Sequence, residues 1–268
     1  MSRTFCALAA LLAAGAAGAD EPRALCADRP GLGTPACTVD PGRAVFELGI
    51  ADFSRDREGA RRGDTLIVGD ALLRLGLNDS LEAQIGWTAY GRQRERSGGV
   101  ATRASRFGDL QVALRQNLRN PDGSGVSIAL MPYAQFATGR EPIGAADWSA
   151  GLIVPIGIDL GAGSLAFTPS IDAVVDSDGH GRHLGYGSVV GWGFDCTDAL
   201  SASVELSLYR DRDPAGASLQ RVAGLSLAWQ PPGRAGEDPA SQWDIGSNVG
   251  LDKAGPDVEL YVGYVRRF

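Results

Sequence analysis

The feature that most constrains this chain is a two-residue alternation sustained over unusually long stretches. Over 81–92, Leu81, Ala83, Ile85, Trp87 and Ala89 fall on one face, while Glu82, Gln84, Gly86, Thr88, Tyr90 and Arg92 fall on the other. The pattern returns at 147–160, 164–176 and 199–209; in the last, Leu200, Ala202, Val204, Leu206 and Leu208 alternate with Ser201, Ser203, Glu205, Ser207 and Tyr209. Successive side chains of a strand point to opposite faces, so these segments are strands with one apolar and one polar face. No segment carries a sustained helical stripe. The alternation predicts about twelve strands, near 44–53, 65–76, 80–92, 107–117, 125–137, 147–159, 164–176, 183–195, 199–210, 219–229, 242–251 and 257–268. Tight turns at Asn78-Asp79, Gly161-Ala162-Gly163 and Thr197-Asp198 alternate with longer polar connections at 54–64, 93–106, 138–146, 177–182 and 211–218. The connections 118–124 and 230–241, on the tight side, are longer.

A soluble β-sandwich and a membrane β-barrel both alternate. Strand length separates them: these strands run to about ten to thirteen residues, against a mode of ~5–6 in soluble sheets and ~9–11 for tilted membrane strands. An even strand number returns both chain ends to one side, and short turns alternating with longer loops fit periplasmic turns and extracellular loops. The expected fold is therefore an all-β, closed antiparallel transmembrane barrel of about 12 strands, with a sandwich holding single core aromatics as the alternative. A mean hydropathy of −0.06 fits a barrel, because only one face of each strand meets lipid. Trp87, Trp148, Trp192, Trp229, Trp243, Tyr186 and Tyr264 all fall on the apolar face, several near strand ends where aromatic girdles belong. The last strand alternates Leu260, Val262 and Tyr264 and ends on Phe268, a pattern that resembles the assembly signal of bacterial outer-membrane barrels, with Arg266 departing from it.

Residues 1–19 read as a cleaved secretory signal: Arg3, a short apolar core from Phe5, and the small-x-small site Ala17-Gly18-Ala19. Residues 20–41 then form an N-terminal periplasmic segment, and 42–268 the barrel. In an oxidising compartment Cys26 and Cys37 are the natural disulfide, tying down a Pro- and Gly-rich segment, and Cys196 is left over. Glycine, 37 of 268 residues, is about twice its usual ~7% without a collagen period. The net charge of −7 argues against nucleic-acid binding.

Function should sit on the inward face. Asp70, Arg74, Glu82, Gln84, Arg92, Asp109, Gln111, Arg115 and Asn117 fall there on neighbouring strands, as a charged constriction or as an ion-pair lattice filling the barrel. Gly185, Gly187, Gly191 and Gly193 leave one wall bare, either for solute or for residues 20–41 as a plug. No catalytic set emerges: His183 and Ser188 face opposite sides of a strand, two histidines do not close a metal site, and no glycine motif fits a dinucleotide. No enzyme activity, metal or cofactor is expected. The run Arg92-Gln93-Arg94-Glu95-Arg96 reads as a solvated loop, or as a partner for lipopolysaccharide phosphates.

Several stretches together resemble the outer-membrane family of the MetA-pathway of phenol degradation. They are Asp28-Arg29-Pro30-Gly31, Pro41-Gly42 with Glu47-Leu48-Gly49, the run from Gly69 to Asp79, Phe107-Gly108-Asp109, and Ala137-Thr138-Gly139-Arg140 with Ala137 where Pro is usual. The resemblance implies an outer-membrane barrel passing small organic, including aromatic, molecules. Outer-membrane lipid and lipopolysaccharide, the barrel assembly machinery and a small-molecule solute are the expected partners. The rival functions are a closed structural or surface-interaction barrel and, more remotely, a lipid hydrolase.

Overall fold

The computed structural model describes residues 22–233 and 239–268, so the signal peptide expected at 1–19 lies outside the described residues. Among the described residues fourteen strands form: β1 (Ala44–Glu58), β2 (Arg61–Gly76), β3 (Leu81–Ser97), β4 (Val100–Arg106), β5 (Leu110–Arg119), β6 (Val126–Phe136), β7 (Ser149–Ile153), β8 (Ile156–Asp159), β9 (Ser164–Val175), β10 (Arg182–Thr197), β11 (Leu200–Asp211), β12 (Ser218–Trp229), β13 (Ser241–Gly250) and β14 (Val258–Arg267). They make twelve staves. β4 and β5 both pair with β3, and β7 and β8 both pair with β6 and β9. Neighbours are antiparallel throughout, and β14 pairs with β1, which closes the ring. Closure satisfies the backbone of every stave without leaving an edge in lipid. The first and last staves meet at the short-turn side, where Phe268 N donates to Ala44 O at 2.8 Å.

The expected stave of 147–159 is broken at Val154-Pro155. Pro155 has no N–H for the ladder, and its carbonyl instead accepts Ala129 N at 2.9 Å. Two connections expected as polar loops are strand instead. Residues 54–64 and 93–106 form hairpins paired to their tips, Glu58 with Arg61 and Ser97 with Val100. Beyond the membrane both faces of a hairpin are solvated, so apolar alternation disappears although the ladder continues. Gly59, Gly98 and Gly99 take positive φ at the tips, as tight hairpin turns require.

A second correction concerns Arg92. The inward set runs through Glu82, Gln84, Gly86 and Thr88 and then changes sides. Gly69 on β2 takes φ +72, and the β1–β14 register shifts between Gly49 and Ala51. These bulge-like kinks re-aim the strands. Past them Val68 stands opposite Tyr90 and Leu66 opposite Arg92, with Leu66, Val68 and Tyr90 exposed toward lipid. Tyr90 and Arg92 therefore point outward, and Arg92 belongs to no lumen site.

The outer face is apolar. On β10 the lipid-facing band runs through Leu184, Tyr186, Val190 and Phe194, and Trp87, Trp148, Trp229 and Trp243 are exposed on the same surface. The packed interior is supplied by residues 22–41. Leu25 and Val39 bury against Val45 of β1 and Val265 of β14.

Candidate functional site

Residues 22–41 enter the short-turn half of the lumen as an irregular segment closed by the Cys26–Cys37 disulfide, Cα atoms 6.2 Å apart. Cys196 is free and exposed. A segment without strand or helix must pair its backbone with side chains, and the inward face supplies them. Glu47 on β1 accepts the N–H groups of Asp28 and Arg29, each at 2.9 Å. Glu82 accepts Val39 N at 2.8 Å. Glu205 on β11 accepts Leu32 N at 2.7 Å and Gly33 N at 3.0 Å. Asn117 donates to Ala36 O at 2.8 Å, and Gln242 to Arg29 O at 2.7 Å. Gly31, at φ +122, passes so close to Glu205 that a Cβ would overlap its carboxylate.

Charges complete the anchorage. Arg74 donates to both oxygens of Glu82, each at 2.9 Å, to Glu47 at 3.1 Å and to Cys26 O at 2.6 Å, and it lies 2.9 Å from Asp28. Arg115 reaches Asp28 at 2.7 Å, Glu82 at 3.3 Å and Cys37 O at 3.2 Å. Arg74, Arg115, Glu47 and Glu82 are fully buried. Burial disfavours a charged Asp28, but Arg115 and Arg74 beside it hold its carboxyl below the usual carboxylate range. Arg29 extends the lattice to Asp244 on β13 at 3.0 Å.

The inward residues named from the sequence thus divide. Arg74, Glu82, Arg115 and Asn117 hold the N-terminal segment, and Gln84 supports Glu82 at 2.6 Å. Gln111 lines the same wall beside Gly86. Asp70 stands higher, accepting the Thr88 hydroxyl at 2.7 Å. Asp109 has another task. Its carboxylate accepts Gly139 N at 2.7 Å, Ala145 N at 2.6 Å and Gln135 Nε2 at 2.9 Å. It thereby folds the 137–148 loop inward, with Ile143 filling the space where a Cβ of Gly91 would stand. Asp28, Arg29, Glu47, Glu205 and Asp244 were missing from the sequence-derived set. Glu47 and Glu205 carried a signal, each being a lone acid between apolar neighbours on a strand.

The bare wall is filled at one end by a side chain of the sheet itself and stays open at the other. Tyr209 occupies the space over Gly185 and Gly187. Lower down, Gly193 with Ser164, Ser201, Ser203 and Ser226 borders a cavity of about 440 Å³ beside the N-terminal segment. A second cavity, about 450 Å³, opens among Ser54, Asp56, Arg61, Glu95 and Glu259 at the mouth that carries the long hairpins. On β14 Leu260 is exposed, Val262 pairs with Ala51 of β1, and the Tyr264 ring packs tilted against Trp243 with centroids 4.7 Å apart; Phe268, just past the strand, is exposed.

The barrel resembles outer-membrane barrels of known structure. The translocator domain of autotransporter NalP from Neisseria meningitidis aligns over 90% of this chain and 90% of its own, at 14% identity and a TM-score of 0.51. The NanC porin aligns over 83% and 98%, at 10% identity and a TM-score of 0.49. The CymD monoaromatic hydrocarbon channel aligns over 86% and 89%, at 8% identity and a TM-score of 0.48. No curated protein matches the chain. The family model described as "Putative MetA-pathway of phenol degradation" matches residues 27–268, which runs from the stapled segment through the last stave. The stretches that carry this likeness meet in space: Asp28-Arg29 on Glu47, Asp28 on Arg74, and Asp109 on Gly139. The chain belongs to that outer-membrane family.

Proposed function

We propose that the barrel is a gated, non-enzymatic channel for small organic molecules, aromatic ones among them, with residues 22–41 as its gate. One observation carries this reading. The N-terminal segment leaves a cavity of about 440 Å³ along the Gly193 and serine wall, within the ~300–1,000 Å³ range of small-molecule sites. The segment is attached by side chains rather than by strand pairing, so it can shift without opening the ring. The family's link to phenol degradation supports an aromatic solute. The last strand, with Leu260, Val262, Tyr264 and Phe268, serves as the signal for the barrel assembly machinery.

The fully buried Arg74–Glu82–Arg115 lattice favours a second reading, a closed structural barrel. Planar-bilayer recordings separate the two. The channel reading expects low conductance from the full chain, a clear rise after deletion of 22–41, and faster entry of uncharged aromatic solutes into proteoliposomes. A folded barrel that stays silent with and without residues 22–41 overturns it.

A further inference from the structure

The extracellular extensions of β1, β2, β3 and β4 form a four-stranded sheet whose outer face is crowded with arginine. Cross-strand register defines the rows. Arg55 stands opposite Asp64, Asp64 opposite Arg94, and Arg94 opposite Arg103. One row toward the tip, Arg62 stands opposite Arg96. One row toward the membrane, Leu66 stands opposite Arg92. Arg57, opposite Arg62, joins the row nearer the tip. Residues directly opposite share a face, so seven guanidinium groups surround a single carboxylate. Asp64 is already engaged, accepting Arg55 Nε at 2.7 Å and Arg62 Nη2 at 3.3 Å. Among the described residues, Arg92, Arg94, Arg96 and Arg103 have no ion-pair partner, and Arg94 Nε is buried without a hydrogen bond. Desolvation, then the Arg96 and Arg103 charges beside it, push the Arg94 pKa below its ordinary value, as expected of cations gathered with too little anion.

The patch begins where the lipid-facing surface ends. Phe53, opposite Leu66, lies under it, and Val68 and Tyr90 form the next row down. Same-face rows are roughly 7 Å apart, so the cations span the headgroup layer just outside the apolar band. The stave supports this depth: β3 reaches Tyr90 ten residues from Leu81, which matches the ~9–11 residues that cross the bilayer.

We infer that this face is a docking site for the phosphorylated glycolipid of the outer leaflet, with Arg92, Arg94, Arg96 and Arg103 gripping its phosphates while its acyl chains lie on the apolar band below. Planar guanidinium forks pair bidentately with phosphate. The surface is an open sheet and not a pocket, so it holds an anion that is also anchored in the bilayer better than one that diffuses freely. The inference rests on the outer-membrane placement of the barrel and is independent of the channel reading.

The test compares wild type, R92Q/R94Q/R96Q/R103Q and D64N, each refolded in one neutral detergent and checked for heat-dependent gel mobility. Each is titrated with deep-rough lipopolysaccharide, with its dephosphorylated form and with inorganic phosphate, reading glycolipid bound per barrel and the temperature at which the folded band is lost. The intact glycolipid is expected to bind wild type, to bind the quadruple variant about tenfold more weakly or worse, and to bind D64N more tightly. The dephosphorylated form should bind all three alike and weakly, and inorganic phosphate should leave the transition temperature unchanged. Equal binding to a folded quadruple variant, or unchanged affinity in D64N, overturns the proposal. Stabilisation by inorganic phosphate equal to that by the glycolipid also overturns it, since it would mark a site for free anions.

Discussion

Arg74 on β2 and Glu82 on β3 pair fork to fork inside the barrel, Nε to Oε1 and Nη2 to Oε2, each at 2.9 Å, with both side chains fully buried. The pair does more than brace two neighbouring strands. Arg74 also reaches Asp28 and Cys26 O, and Glu82 also accepts Val39 N, so each partner holds one side of the stapled segment.

Removing Arg74 leaves the buried Glu47 without its cation and leaves Glu82 and Asp28 to share Arg115 alone. Arg74→Met is expected to cost about 3–5 kcal/mol, the usual penalty for breaking a buried pair from one side. Combining it with Glu47→Gln and Glu82→Gln should recover much of that loss. Urea unfolding followed by gel mobility checks both. A single variant as stable as wild type would show that the lattice contributes little.

The disulfide acts on the segment and not on the ring. Cys26→Ser/Cys37→Ser frees a loop of sequence separation 11, for which the chain-entropy model gives about 3 kcal/mol. Limited proteolysis should then cut within 22–41 while heat-dependent gel mobility persists. Loss of both together would mean that the ring cannot stand without the staple.

Asp109 governs the inward fold of the 137–148 loop. Asp109→Ala leaves the N–H groups of Gly139 and Ala145 without their acceptor, at about 1–3 kcal/mol for each one that stays buried. Faster hydrogen exchange at those two amides, with the strand amides unchanged, is the expected result. Unaltered exchange would place the anchor elsewhere.

His183, just outside the Leu184–Phe194 lipid-facing band, ties the 176–181 turn to its neighbour. Its Nδ1 lies 2.8 Å from Asp176 Oδ1 and its Nε2 faces Asp211. Burial opposes protonation, but the Asp176 hydrogen bond and the Asp211 charge outweigh it and raise the pKa. The interaction is therefore complete below the unperturbed value of about 6.5 and is lost as pH rises through the raised folded value. An NMR titration should find the His183 midpoint above about 6.5, and Asp176→Asn should lower it. A midpoint that does not respond to that substitution would remove Asp176 as the cause.

Much of the architecture was legible because a membrane barrel writes its two environments directly into alternate residues. From Leu81 to Thr88 every inward and outward position follows from parity. Beyond Gly69 parity fails, since a positive φ on one strand re-aims its neighbours and a pattern count has no access to φ. Arg92 was misplaced for that reason, and the hairpins around it read as loops because water on both faces removes the alternation. The site was half legible. Arg74, Glu82 and Arg115 stood out as charges on an inward face, but their partners Asp28 and Arg29 lie in a segment without periodicity, where nothing in the sequence gives direction. The inward fold of 137–148 was invisible because it depends on backbone N–H groups, which every residue type carries.

The stapled segment also bears on how the ring comes together. Its contacts fall on β1, β2, β3, β5, β9, β11 and β13, spokes from one hub to staves all round the circumference. No partial arc of strands can offer all of them at once. Residues 22–41 therefore sit in the ring as a mandrel: they span the girth of the sheet around them and touch both β1 and, through Arg267, β14 at the seam where the ring closes.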